Sequence, residues 1–177
     1  MRNTILKYGL IAGLVMGALM FCTSLLLDKI GYTYGEAIGY ACMILGFLPV
    51  FLGTRKYRDD INGGNIGFGR AFFISISTAL FATLFYVAAW LFIYYNMPDV
   101  MAKYTAYTID QLKAAGKPQK DIDAILQQMQ EVKEIYKNPL KNALDAYLRP
   151  LSGTIVFSLI TALLIRRKPA SPLLPQL

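Results

Sequence analysis

The stretch AFFISISTALFATLFYVAAWLFIYYNM, from Ala71 to Met97, carries no ionised side chain from end to end. An α-helix rises about 1.5 Å per residue, so about 20 apolar residues cross a hydrocarbon core of about 30 Å. Two further runs, Tyr8 to Leu27 and Ala37 to Thr54, read the same way. A fourth, Leu151 to Ile165, reaches only about 22 Å at that rise. It needs a helix beginning near Ala143, which carries Arg149 and Pro150 close to the membrane border, where the arginine can snorkel. The predicted fold is all-α. It is a four-helix transmembrane bundle with spans at about 5–27, 35–53, 70–96 and 144–166, and an extramembrane helical hairpin at about 98–138 between the third and fourth spans. The chain 1–177 reads as a single membrane domain with a disordered tail over 169–177.

The formal charge of +7 is distributed unevenly. If the two termini share a side with the segment from Arg55 to Arg70, that side holds Arg2, Lys7, Arg55, Lys56, Arg58, Arg70, Arg166, Arg167 and Lys168 against Asp59 and Asp60. The other side is then neutral. Basic residues in short loops mark the cytoplasmic face, so both termini are expected on the inside. Nucleic acid is not an expected partner. The first run is too long for a signal-peptide core and lacks a small-x-small cleavage site before Asp28.

The chemistry of sites is sparse. There is no histidine, and the two cysteines, Cys22 and Cys42, both fall in apolar runs where a thiol acts as a small hydrophobe. No metal, no cofactor and no disulfide is expected, and the chain reads as a non-enzyme. Asp59 and Asp60 are adjacent carboxylates in a basic loop, and ion pairing to Arg55 or Arg58 explains them more simply than acid–base catalysis does.

Punctuation sets the connections. Thr33-Tyr34-Gly35-Glu36 has capping-box spacing for the start of the second span. Pro49 inside that span removes an amide donor and predicts a kink. Pro98-Asp99 suits a helix start, Ala115-Gly116-Lys117-Pro118 a stop and restart, and Asn138-Pro139 a cap followed by the first helical residue. Between these signals, Met101, Tyr104, Thr108 and Leu112 form one apolar face. Ile122, Ile125, Leu126, Met129, Val132 and Tyr136 form another, expected to be mostly core of the hairpin. Tyr8, Tyr57, Tyr32, Tyr34, Trp90, Tyr94, Tyr95 and Tyr147 sit where interfacial aromatic anchors belong.

Small residues recur every four positions: Gly9, Gly13 and Gly17, then Gly35 and Gly39, then Ser75, Ala79 and Thr83, then Thr154, Ser158 and Ala162. That spacing puts each set on one helical face and predicts close helix packing, chiefly within one chain and otherwise with a second copy. In the loop Arg55 to Arg70, the glycines fit neither a Walker nor a dinucleotide fingerprint. A tight turn at Asn62-Gly63-Gly64 is expected, with Arg55, Lys56, Arg58 and Arg70 as candidate contacts for anionic lipid headgroups. An amide nest for phosphate is the alternative.

The combination Lys56-Tyr57-Arg58-Asp59, Asn62-Gly63-Gly64, Phe68-Gly69-Arg70-Ala71-Phe72, Tyr94-Tyr95-Asn96-Met97-Pro98-Asp99 and Tyr136-Lys137-Asn138-Pro139-Leu140 resembles the uncharacterised bacterial membrane family called domain of unknown function 4199, found mainly in Bacteroidota. The resemblance covers Asn3 to about Lys168 and implies a four-span inner-membrane protein, with no established activity or catalytic residue to carry over. The expected function is therefore a non-enzymatic interaction or accessory role at the lipid bilayer, with a second copy or a membrane complex as candidate partner. The alternative is a small-solute carrier or channel formed by an oligomer, drawing on Pro49 and the hydroxyls of Ser75, Ser77, Thr78 and Thr83. Against it, the interiors of the first three spans hold no ionisable residue of the kind that marks ion pathways.

Overall fold

Helices that share a membrane must find each other without a hydrophobic drive, so close van der Waals approach decides which pairs form. In the computed structural model, which describes residues 1–30 and 32–167, that approach is made first between α1 (Arg2–Ile30) and α3 (Phe68–Asn96). A Cβ added at Gly9 would lie 2.6 Å from Phe81 Cδ1 and 3.1 Å from the Thr78 carbonyl oxygen. At Gly13 it would lie 2.7 Å from Phe85 Cβ, and at Gly17 3.4 Å from Ala89 Cβ. The three contacts advance by four residues on both helices, so α1 and α3 run parallel and in register.

The helix α2 (Tyr32–Lys56) returns antiparallel to α1. Its close contacts among the described residues are not at Gly39. An added Cβ at Gly39 meets nothing within 4 Å, so Gly39 is not a packing residue within this chain, and the surroundings of Gly35 lie outside the described residues. Gly46 and Gly53 make the approach instead: an added Cβ at Gly46 would run into Met16, and one at Gly53 would lie 2.5 Å from Cγ and 2.7 Å from Cβ of Tyr8. Seven residues are two helical turns, which returns both to one face. The side chains of Tyr32, Thr33, Glu36 and Met101, and the tail from 168 onward, also lie outside what the structure describes.

The last span is not one helix. Asn138 caps α6 (Pro139–Leu148) by accepting from the amides of Leu140 and Lys141, as the Asn-Pro signal predicts. The helix stops at Arg149-Pro150, and α7 (Leu151–Ile165) resumes after it. Pro150 has no amide to donate and its ring crowds the preceding turn, which divides the helix where a continuous one was expected. α7 packs along α3, with Ala71 and Ile74 of α3 in one buried cluster with Ala162 and Ile165 of α7. Phe47 of α2 stacks on Phe157 of α7 at 4.5 Å between ring centroids.

Between α3 and α6, α4 (Pro98–Ala114) and α5 (Gln119–Tyr136) touch across a turn in which Gly116 has φ +68°. An L-residue with a side chain rarely adopts that angle, so the glycine belongs to the turn. Among the described residues, three helical stretches are long and apolar enough to cross a membrane by length and composition: 2–26, 68–96 and 139–165. Their outer faces are apolar and open, with Leu14 58% and Leu164 69% exposed, and Ile44 of α2 reaches 67%. Surfaces of that kind call for lipid rather than water.

If the Gly13 contact holds α1 to α3, Gly13→Ala pushes its methyl into Phe85 near the backbone, where the ring cannot swing clear, and should cost about 1–3 kcal/mol by overpacking. Gly39→Ala should cost nothing. Thermal unfolding of the two variants in one mild detergent checks the contrast.

Candidate functional site

Two polar centres lie at opposite ends of the bundle. The basal end is the one where Ile5 and Arg167 meet the α2–α3 connection. Here the chain leaves α2 through a π-helical turn, Tyr57–Ile61, in which the Asn62 amide reaches back to the Tyr57 carbonyl at 3.0 Å. The turn faces two ways. Asp59 and Asp60 point outward, 3.7 Å from Arg55 and 3.1 Å from Lys56 respectively. Tyr57 and Arg58 point inward and are buried.

Arg58 was a candidate lipid contact, but only 6% of it is exposed. Its Nε and Nη2 donate to the two carboxylate oxygens of Asp59 at 2.6 and 3.0 Å, and its Nη1 donates to the carbonyl of Ile165 at 3.1 Å. A guanidinium can be buried only when it is paired, and this one also satisfies the last carbonyl of α7, which has no helical partner of its own. Hydrogen bonding from Arg58, more than its charge, holds the Asp59 carboxyl below the usual carboxylate range. Tyr57 likewise is core rather than an interfacial anchor, because it packs with Ile66, Ala71 and Ile165. Beside the latch, Ile66 and Arg167 exchange both backbone hydrogen bonds, at 3.1 and 3.0 Å.

The Asn62–Asn65 turn uses its glycines at φ +63° and +79°, Gly63 and Gly64. The Gly64 amide donates to the Arg58 carbonyl at 2.8 Å and the Ile66 amide to Arg167, so these donors serve the fold rather than a phosphate nest. Arg70 donates to the Asn62 side chain at 2.9 Å. Arg55, Lys56 and Arg70 remain on the surface with Arg2, Lys7, Arg166 and Arg167. The candidate contacts for anionic headgroups that stay exposed are therefore three of the four.

The predicted packing residues Ser75 and Ala79 are buried on α3, and Ser158 and Ala162 on α7. The hydroxyls of Thr78 and Thr83 donate to the carbonyls of Ile74 and Ala79 within their own helix, at 2.6 and 2.9 Å. Ser75 Oγ, Ser158 Oγ and Thr161 Oγ1 have no such partner. Cys22 and Cys42 are free thiols.

At the distal end, three of the aromatic residues expected as anchors, Trp90, Tyr94 and Tyr95, also join elements. Trp90 Nε1 donates to Asn142 Oδ1 at 2.8 Å, and the Tyr95 hydroxyl donates to the Tyr136 carbonyl at 2.7 Å. The Tyr136 hydroxyl donates to Asp145, whose Oδ2 also accepts from Arg149 Nη2 at 2.6 Å. The ring of Tyr94 meets that of Tyr136 edge-on at 5.4 Å. This joint fastens the end of α5 to α3 and α6. Burial, and then the bond to Asp145, pushes the Tyr136 hydroxyl up to about 12, so it stays a donor throughout the physiological range. Arg149 is thus clamped as well as exposed, rather than simply snorkelling.

The α5 stripe was expected to be mostly core. Ile122 and Tyr136 are buried, whereas Ile125, Met129 and Val132 line an open cleft of about 820 Å³ with Trp90, Tyr94 and Arg149. The helices touch, but their apolar faces do not close on each other. Sequence periodicity found these residues and could not find the joint, because Trp90 and Asn142, or Tyr95 and Tyr136, are far apart in the chain and share no spacing.

A family model described as "Protein of unknown function (DUF4199)" matches residues 7–167. No curated protein and no solved structure matches.

Arg58→Met should remove the latch on α7 and lower stability by about 1.5–3 kcal/mol, the usual worth of hydrogen bonds to a charged group. Lys56→Ala, on the surface, should change little. Because the Asp59 pKa is depressed in the fold, its share is present above the unfolded value of about 4 and is lost as pH falls through the folded value. The gap in melting temperature between the parent and Arg58→Met should therefore shrink on acidification below pH ~4.

Proposed function

This chain belongs to the DUF4199 family of proteins of unknown function, and we infer that it is a non-enzymatic accessory protein of the bacterial inner membrane that presents a helical hairpin to a partner. In this reading four spans, about 5–27, 35–53, 70–96 and 144–166, cross the bilayer, with both termini and the Arg55–Arg70 segment cytoplasmic. The hairpin of about 98–138 stands on the other side. The short-loop charge bias supports the orientation.

The observation that carries the reading is the distal joint. Trp90, Tyr95, Tyr136, Asp145 and Arg149 fix a polar, surface-rich helical pair to the bundle by side-chain hydrogen bonds from three elements. A pair held so firmly, with balanced charge and half-open apolar faces, suits recognition. The membrane helices supply packing surfaces and no charged pathway through 71–97. The partner is a membrane complex or a second copy, and the exposed basal cations hold anionic headgroups.

One observation favours a carrier or channel instead. Among the described residues three buried hydroxyls, Ser75, Ser158 and Thr161, have no partner. Serine and threonine in helices can return such hydroxyls to their own backbone, as Thr78 and Thr83 do here, so packing accounts for them with less.

In a background without Cys22 and Cys42, Gly116→Cys should react with an impermeant thiol reagent in intact spheroplasts and Gly64→Cys should not. The reverse pattern overturns the orientation. Photocrosslinkers placed along 102–135 should capture a discrete neighbour in cells. No specific crosslink at any position, together with solute flux in liposomes that is lost in Ser75→Ala, would replace the accessory reading by the carrier.

A further inference from the structure

The cleft of about 820 Å³ under α4 and α5 has a lining that neither helix packing nor the joint explains. One wall is apolar, formed by Ile125, Met129 and Val132, and the floor is aromatic, formed by Trp90, Tyr94 and Tyr136. Two cations, Lys133 and Arg149, stand at its edge, and no carboxylate lines it among the described residues. Among the described residues Lys133 forms no ion pair. Its neighbour Glu134 is taken by Lys137 at 2.7 Å, and Glu131 accepts from Gln127. Arg149 gives only Nη2 to Asp145 and Tyr136, which leaves Nε and Nη1 for another acceptor.

The level of the cleft narrows the occupant. From Phe68, at the basal start of α3, to Trp90 is about 33 Å at the helical rise, close to one hydrocarbon thickness. The cleft therefore opens at the distal border of the bilayer, where tryptophan, tyrosine and basic residues meet headgroups. Its volume lies in the range of about 300–1,000 Å³ that holds small ligands. A soluble anion would use the cations and leave the apolar wall bare, and an uncharged chain would use the wall and leave Lys133 unpaired.

We propose that this cleft is a lipid site: it takes an anionic phospholipid of the distal leaflet, with the phosphate at Lys133 and Arg149 and the upper acyl chain along Ile125, Met129 and Val132. The proposal rests on the distal-border placement used in the accessory reading and not on the hairpin having a protein partner.

Trp90 is the sole tryptophan of the chain, so it reports on its own cleft. Full-length protein in vesicles of phosphatidylcholine is titrated with brominated phosphatidylglycerol or, separately, brominated phosphatidylcholine, and quenching of Trp90 is followed. The anionic lipid should quench at lower mole fraction, with a preference of about fivefold for each unpaired cation. Lys133→Glu should abolish most of that preference, Met129→Trp read by lipid retention in native mass spectrometry should reduce binding by filling the wall, and Arg55→Glu at the basal end should leave the quenching preference intact. Equal quenching by both lipids in the parent protein overturns the proposal, as does a preference that Lys133→Glu leaves unchanged. Circular dichroism and gel-filtration mass confirm that each variant compared is folded. A crosslinker at Met129 that captures a protein while the parent shows no lipid preference would assign the cleft to a peptide partner instead. Failure to capture any partner with the lipid preference intact would sink the accessory reading and leave this one standing.

Discussion

The parallel contact of α1 with α3 is the constraint on which the rest of the bundle depends. Gly9, Gly13 and Gly17 remove side chains from one face of α1, and Phe81, Phe85 and Ala89 of α3 fill the space. In lipid such contacts have to supply most of the association, since apolar surface gains nothing by leaving one hydrocarbon for another. Setting α1 beside α3 has topological consequences. The segment between them must run back along the bundle as α2, and it does so by seating Gly46 and Gly53 on Met16 and Tyr8 of the same α1. The later helix α7 then has the remaining face of α3, lined by small and hydroxyl residues, to pack upon.

The two ends of the bundle are closed by polar chemistry of different kinds. At the basal end a buried guanidinium joins the turn after α2 to the last carbonyl of α7, and a two-way backbone pairing between Ile66 and Arg167 holds the chain just beyond it. A buried charge is costly unless every part of it is occupied, so the latch ties the order of the loop to the docking of α7. At the distal end, phenol, indole, amide and carboxylate groups reach across α3, α5 and α6. Asn142 is fully buried there and spends its oxygen on Trp90. The joint holds the end of α5 against the bundle while Ile125, Met129 and Val132 stay open to a cleft. The lining of that cleft includes the cations Lys133 and Arg149.

How much of this was legible depends on range along the chain. Helix limits were, because their causes are local: Asn138-Pro139 starts α6 by a cap and a ring, and Gly116 stops α4 by an angle only glycine adopts freely. The four-residue repeat in α1 was also legible as a face. The same repeat misled at Gly39, since spacing says which residues share a face and not whether another helix lies opposite. Arg58 misled for a related reason. A basic residue in a basic loop reads as a headgroup contact until the π-helical turn carries it inward onto Asp59 and Ile165.

The amino-acid order by itself determined the membrane class, the helical content, the starts and stops of most elements and the charge asymmetry between the ends, because each follows from composition or from interactions within a few residues. Only the tertiary structure decided that Gly46 and Gly53 are the contact glycines of α2, that Arg58 is a latch, that Tyr95 and Tyr136 belong to one joint, and that the α5 stripe borders a cleft instead of a closed core. Each of these joins residues that are distant in the chain. Their meeting depends on which helix faces fit most closely in three dimensions, and no local spacing records that.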